Sequence, residues 1–389
     1  MARSTYYLLL WGLFVPIFLV RLATIRPINL PNNQKMAVEG RITSQPYQKG
    51  SKQYFYLRSI LVQTDPLPAY FYGQKITFVG NLEREVINRF KIIYIAKKPD
   101  IRLIKDRPDG LNLVSLRAWL FSVRQELEDR LKTLLPSPHN QLMLGILLGV
   151  RQNLPQEFLQ RLINTGKIHL IVASGQNVVF FAGIVIEGSW LVLGRRRAVV
   201  LGIMGACFYC LLAGAEAPVV RATLMVCFSY LAVLLGRQAD KVIGFTLAVF
   251  LMLIVIPLYI FDLGFQLSVA ATAGLVFLLP KLENWTEKAK IKLPGLLKEG
   301  LLVSLAAQAA TLPIIALTFK TFSLSSFVAN LLIVPLIPFM LVLSLLALVA
   351  SMIFLPAGQL FAYLAFPFLD FFILTVNLLS GFSWTNVKF

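Results

Sequence analysis

The hydrophobic pattern changes its period along this chain. Residues 6–22 (YYLLLWGLFVPIFLVRL) form one apolar run long enough to cross a bilayer. No small-residue cleavage site follows, which predicts a retained anchor over residues 1–23. Residues 30–106 then alternate apolar and polar positions in short runs: KMAVEGRI, QYFYLRSILV, QKITFVG, FKIIYIA and IRLIK. Period-two runs separated by Pro, Gly and Asn predict five strands. A small OB-like β-barrel is the economical arrangement, because closure removes exposed edges.

Residues 112–135 return to helical spacing. Leu116, Trp119, Leu120, Val123, Leu127, Leu131 and Leu134 recur at threes and fours, with charges on the other face. Residues 141–150 are apolar but too short to span, which suits a re-entrant or half-buried piece. Together 111–160 reads as amphipathic, interfacial helices. From residue 161 to 389 the chain is almost continuous membrane. Spans are expected near 168–193, 198–214, 217–236, 242–261, 263–280, 300–319, 325–353 and 357–381. Pro335 and Pro338 predict a break in the seventh. The fold class is therefore a polytopic α-helical membrane protein with an N-terminal anchor and a small OB-like β domain.

Composition supports this class. Of 389 residues, 57% are hydrophobic, above the usual range for soluble domains. The basic positions set an orientation. Arg195–Arg197, the Arg237–Lys241 loop and the lysines of 281–298 fall in alternate loops, so all three fit the cytoplasmic side. That places Met1 inside and the β domain outside a bacterial plasma membrane. Net charge of +18 exceeds what loop bias needs and points to a polyanion or anionic lipid as partner.

Candidate chemistry sits where polar residues interrupt the apolar runs. Ionisable groups in spans mark function by default. Here they are Glu187, Glu216, Arg221, Asp262 and Asp370, with Gln176, Asn177, Gln266, Gln308 and Asn330 as polar companions. The stretch GKIHLIVASGQNV (166–178) opens the membrane block with Lys167 and His169 and breaks it at Ser174-Gly175. It does not read as a hydrolase. A nucleophile elbow needs a glycine two residues before the serine, and Val172 stands there. His169 and Ser174, five apart, would not share a helix face. No phosphate-binding loop or metal-ligand run appears, two histidines are too few for a His-rich site, and Cys207-x-x-Cys210 has no second pair. No catalytic residue, cofactor or metal is expected.

The order of the pieces and four motifs carry a resemblance. They are GILLGVRQNLPQEFLQRLINTGKIHLIVASGQNVV at 145–179, APVVRATLM at 217–225, FDLGFQLSVAATAGL at 261–275 and SSFVANLLIVPLIPF at 325–339. Together they resemble the ComEC family, inner-membrane channels for DNA uptake in natural competence. The family usually has an acidic residue where Val150 stands, and often a histidine where Asn177 stands. Many members continue into a metallo-β-lactamase-like domain, whereas this chain ends at Phe389. The resemblance therefore implies a channel for single-stranded DNA, with a nuclease and a cytoplasmic helicase or motor on other chains among further competence proteins, and membrane lipid around it. Along the implied DNA path stand Arg151, His169, Ser174, Gly175, Gln176, Asn177, Arg221, Gln266, Gln308 and Asn330. Glu216 and Asp262 fit phosphate poorly and are expected to pair at the outer mouth, with Arg221 or Arg151. In the β domain, Tyr54 and Tyr56 for base stacking and Lys75 and Lys91 for phosphate are the expected contacts. Two other functions fit the residues: a transporter or flippase for another anionic substrate, and a membrane scaffold binding a partner through the β domain.

Overall fold

A computed structural model describes residues 2–24, 30–31, 34–49, 51–88, 91–105, 113–150, 154–165, 175–289, 295–319, 321–323, 325–381 and 386–388. The chain divides into two compact units, Met1–Glu126 and Leu127–Phe389.

The first unit begins with helix α1 (Ala2–Ala23). Seven strands follow: β1 (Lys35–Arg41), β2 (Tyr47–Lys49), β3 (Lys52–Leu57), β4 (Ile60–Thr64), β5 (Lys75–Asn88), β6 (Lys91–Lys97) and β7 (Asp100–Lys105). Their order is β1-β5-β6-β4-β3-β2, with β7 also on β5. All pairs are antiparallel except β4 with β6. The single strand expected over 53–62 is two strands. Arg58 takes a positive φ of 52° and turns the chain between them. The expected closed barrel is also not what the ladder shows, because β1 and β2 end the path as open edges. Two contacts do reach from the end of β1 to β3: the Thr43 amide and hydroxyl both donate to the Tyr56 carbonyl, at 2.8 and 3.1 Å.

Alternation along the strands builds the core. In β3, Gln53, Phe55 and Leu57 point inward, while Tyr54 and Tyr56 share the opposite, half-exposed face. Phe55 joins Val62, Ile76, Phe78, Leu82, Tyr94 and Ala96 in the buried cluster. The buried Gln53 amide is satisfied by exchanging two hydrogen bonds with the Tyr70 backbone, each 3.3 Å, which ties the 65–73 loop to β3.

Helix α2 (Leu113–Leu134) carries the amphipathic pattern. The second unit then contains α3 (His139–Leu148), α4 (Gln156–Asn164), α5 (Gly175–Leu193), α6 (Arg195–Leu212), α7 (Ala217–Leu234), α8 (Lys241–Val255), α9 (Leu263–Ala273), α10 (Leu279–Lys288), α11 (Gly295–Phe319), α12 (Ser325–Ile333), α13 (Ile337–Ile353) and α14 (Leu355–Ser380). Short strands β8 (Thr321–Ser323) and β9 (Asn386–Lys388) pair with each other. Among the described residues, six helical stretches are long and apolar enough to cross a membrane: Gly175–Leu193, Ala217–Leu234, Leu263–Lys288, Gly300–Thr318, Val328–Ile353 and Leu355–Ser380. The molecule is a multi-pass helical membrane protein with an N-terminal sheet region. The span around 325–353 stays one helical stretch, with a 3-10 turn at Val334–Leu336 beside its prolines in place of a break into two pieces.

The apolar segment at 141–150 turns out to be deeply interior. Residues 142–148 of α3 are all buried, and α3 packs on α13 and α14. Its uniform hydrophobicity, which leaves no polar face, is what full enclosure requires. Close packing elsewhere comes from small residues. Gly274, in a π-helical stretch between α9 and α10, lies against Ala306 and Ala310 of α11. Gly358 of α14 lies against Ala347 and Ser351 of α13. Small residues that let helix backbones approach are the expected glue in lipid, where no hydrophobic gain separates helix from solvent.

Candidate functional site

The start of α5, the second turn of α7 and the second half of α9 meet around Arg221. A Cβ built on Gly175, the first residue of α5, would lie 2.9 Å from Ala222 Cβ, 3.5 Å from the Pro218 carbonyl and 3.6 Å from the Arg221 guanidinium. Only glycine permits this approach of α5 to the first turns of α7. Arg221 is 8% exposed. Its Nε donates to Ser268 Oγ at 2.9 Å, and a terminal nitrogen donates to Thr272 Oγ1. That same nitrogen is 3.6 Å from the Met225 sulfur. The guanidinium thus sits among α5, α7 and α9, held by hydroxyls and a thioether. The N-termini of α5 and α7 add partial positive charge nearby.

Asp262 and Glu216 occupy the N-caps of α9 and α7. Asp262 Oδ1 accepts from the Phe265 amide at 2.7 Å, so this carboxylate closes one of the orphan donors of its own helix. Gln266 donates 2.7 Å to the Ile260 carbonyl and fixes the 3-10 turn ahead of α9. Gln308 and Asn330, far apart in sequence, come together: both donate to Ser304 Oγ, at 2.8 and 2.9 Å. Gln176 is exposed and points away from the bundle core.

Asn177 has a different setting. It is 1% exposed, and its Nδ2 donates 2.7 Å to the Ile146 carbonyl. Ile146 is in the last turn of α3, where carbonyls lack intrahelical partners. Asn177 therefore joins α5 to the interior end of α3. Asn177→Leu should lower stability by about 1–3 kcal/mol, since it leaves a buried carbonyl unpaired. Asn177→His, which keeps a donor, should lose less. Thermal unfolding in detergent distinguishes the two.

A second polar cluster ties the helices before the bundle to its last hairpin. His139 Nε2 lies 3.2 Å from Asp370 Oδ1, and the His139 ring stacks on Phe366 at 4.3 Å. Arg161 donates 2.9 Å to Asn377 Oδ1, and Arg130 donates 3.2 Å to the Ser351 carbonyl. Asp370, placed mid-span by its sequence, is thus answered by a histidine 231 positions away. Asp370→Ala should destabilise the second unit by about 1–3 kcal/mol, and Asp370→Asn by less, because the amide still reaches the imidazole. Protein yield and melting in detergent read this out.

In the first unit, Tyr54 stacks on Tyr47 with ring centroids 5.4 Å apart. Burial, and next the charge of Glu85, pushes the Tyr56 phenol up from its ordinary value, so it stays a neutral donor. Lys75 pairs with Glu39 at 2.5 Å. The register sets Arg41 and Lys105 opposite Lys75 on the two flanking strands, so three basic residues share one row. Lys91 opens β6. Arg151, His169 and Ser174 lie outside the described residues. Ser268, Thr272, Ser304 and His139 were not singled out from sequence. The one available signal was the i, i+4 spacing of Ser268 and Thr272 on an apolar helix.

Comparison with known proteins covers this same region. The model of the Competence protein family matches residues 146–389. ComE operon protein 3 of Bacillus subtilis is 28% identical over 259 residues, 66% of this chain and 32% of its own length. The uncharacterized protein YcaI of Escherichia coli is 30% identical over 226 residues, 55% of this chain and 29% of its own length. An uncharacterized protein of Aquifex aeolicus is 29% identical over 238 residues, covering 58% and 54%. The matched stretches thus span from under a third to about half of these relatives. The family match contains every helix around Arg221, the Ser304 cluster and the His139 partner Asp370, and it covers more than half of the sequence: the chain belongs to the Competence protein family.

Proposed function

We propose that this chain forms the membrane conduit, or a subunit of it, that passes single-stranded DNA to the cytoplasm during natural transformation. The observation that carries the reading is Arg221. A cation 8% exposed within a membrane helix bundle, held by neutral groups, supplies attraction for a passing phosphate. The nearby N-termini of α5 and α7 favour an anion too. Family membership and the ComE operon relative support a role in DNA uptake.

The sheet domain then lies outside the membrane and works as an OB-like module. The Thr43–Tyr56 hydrogen bonds and the parallel β4–β6 pair support that reading. Its row of Arg41, Lys75 and Lys105 would collect phosphates. Tyr54 and Tyr56 offer rings on one half-exposed face.

Deleting the gene and restoring it in the host tests the proposal. Transformation by added DNA should fall and recover, with lipid and envelope-sugar composition unchanged. Normal transformation with altered envelope composition would instead favour a flippase for another anionic substrate.

A further inference from the structure

Two of the three guanidinium nitrogens of Arg221 are occupied: Nε donates to Ser268 Oγ, and Nη1 donates to Thr272 Oγ1 beside the Met225 sulfur. The third, Nη2, has no acceptor among the described residues, and no carboxylate there pairs with the side chain. Nη2 lies 3.6 Å from the position a Cβ would take on Gly175, the first residue of α5. We propose that Nη2 and the first amides of α5 form a subsite for one tetrahedral oxyanion, a phosphate group carried on a strand or free in solution. The strand as source rests on the conduit reading; the oxyanion chemistry does not.

The helix supplies the other donors. The first amides of an α-helix have no acceptor within it. Gly175 and Gln176 stand at that end of α5, and nothing among the described residues accepts from either amide. Cα–Cβ bonds in a helix lean toward its N-terminus, so the Gly175 Cβ position marks the rim of this first turn. Nη2 is therefore aimed at the turn from which the orphan amides project, on a side chain that is 8% exposed. Glycine matters here because any side chain at 175 would stand between the guanidinium and the backbone. Gln176 is exposed, so an anion reaches this turn without parting α5 from α7.

Charge and shape together select the ligand. A buried guanidinium held by hydroxyls keeps its full charge, and a bound anion offsets it. A phosphate offers separate oxygens to the guanidinium and to each amide. A chloride must gather every donor on one centre. All of these donors suit the phosphate and none of them reads a base, so inorganic phosphate should occupy the same place as a strand.

The test uses the full chain, purified in detergent and titrated with inorganic phosphate against sodium chloride of matched ionic strength, with thermal unfolding as the readout. Phosphate should raise the midpoint more than chloride does. Gln176→Pro removes one amide donor at a place where this fold accepts proline: Pro218, Pro338 and Pro356 stand second in α7, α13 and α14. It should weaken phosphate binding roughly tenfold, the scale of one hydrogen bond to a charged group. Arg221→Gln should weaken it at least as much. Equal effects of phosphate and chloride on the wild type would overturn the subsite. So would undiminished phosphate binding in Gln176→Pro or, if that variant does not fold, in Arg221→Gln. Oligothymidylate should compete with phosphate, which assigns the place to a strand; phosphate binding that it leaves untouched assigns the free anion. Phosphate-specific binding beside normal transformation in the gene deletion keeps the subsite and removes the conduit. Transformation that needs the gene, with phosphate and chloride acting alike, does the reverse.

Discussion

Arg221→Gln should lower transformation by added DNA roughly 10- to 100-fold, with the protein still present in the membrane. A charge-assisted hydrogen bond contributes about 1.5–3 kcal/mol, and each 1.4 kcal/mol is a factor of ten. Arg221→Lys should lose less. It keeps the charge but cannot span Ser268 and Thr272 with one planar fork. The paired change Ser268→Ala with Thr272→Ala leaves the charge and removes its positioning. Its effect should fall between those of Lys and Gln. Arg221 could instead act only by holding α7 to α9. In that case all three variants would lose membrane-inserted protein in proportion to lost transformation. Immunoblots of the membrane fraction beside transformation counts separate these outcomes. Full transformation with Gln at position 221 would remove the observation on which the conduit reading rests.

Gly358→Val should abolish accumulation of folded protein. A Cβ at this position would sit 2.4 Å from Ser351 Cβ and 2.8 Å from the Ala347 carbonyl. Both contacts are on the facing helix, and neither is the end of a flexible side chain. The α13–α14 hairpin must therefore separate along its length. Overpacking a well-filled interior costs about 1–3 kcal/mol and sometimes more, and here α3 rests on the same hairpin. Gly274→Val should behave alike, since its Cβ would meet the Ala306 carbonyl at 2.4 Å. Gly300→Ala is the control. Nothing lies within 4 Å of its Cβ, and alanine is the better helix former, so yield should stay level or rise. Fluorescence size-exclusion of the detergent extract reads all three. A normal peak for Gly358→Val would mean that the hairpin tolerates a looser crossing than its small residues indicate.

How far the site was legible varies by residue. Arg221 and Asp370 stood out because a charge in an apolar run is costly wherever it points. Their partners did not stand out. Ser268 and Thr272 carry no signal alone, because a hydroxyl in a helix can return its proton to a carbonyl one turn back. Thr272 does so, donating 3.0 Å to the Ser268 carbonyl. His139 lies before the membrane block in sequence, and nothing local relates it to Asp370. Asn177 looked like part of a polar path, and its bond to Ile146 shows a junction between two helices. In the sheet, the turn at Arg58 went unseen because it uses neither glycine nor asparagine at a positive φ.

The membrane class, six helical spans, the strand-rich N-terminal region and the family are legible in the residue order alone. Each of these depends on local period, run length or motif, which nearest neighbours along the chain encode. Which polar groups meet is a matter of packing between distant residues. That packing set Arg221 against Ser268 and Thr272, put Gln308 and Asn330 on one serine, and buried α3 beneath the last hairpin. Such meetings depend on helix rotation and on how closely glycines let backbones approach. Both are settled by packing between residues tens to hundreds of positions apart, and no local pattern carries them.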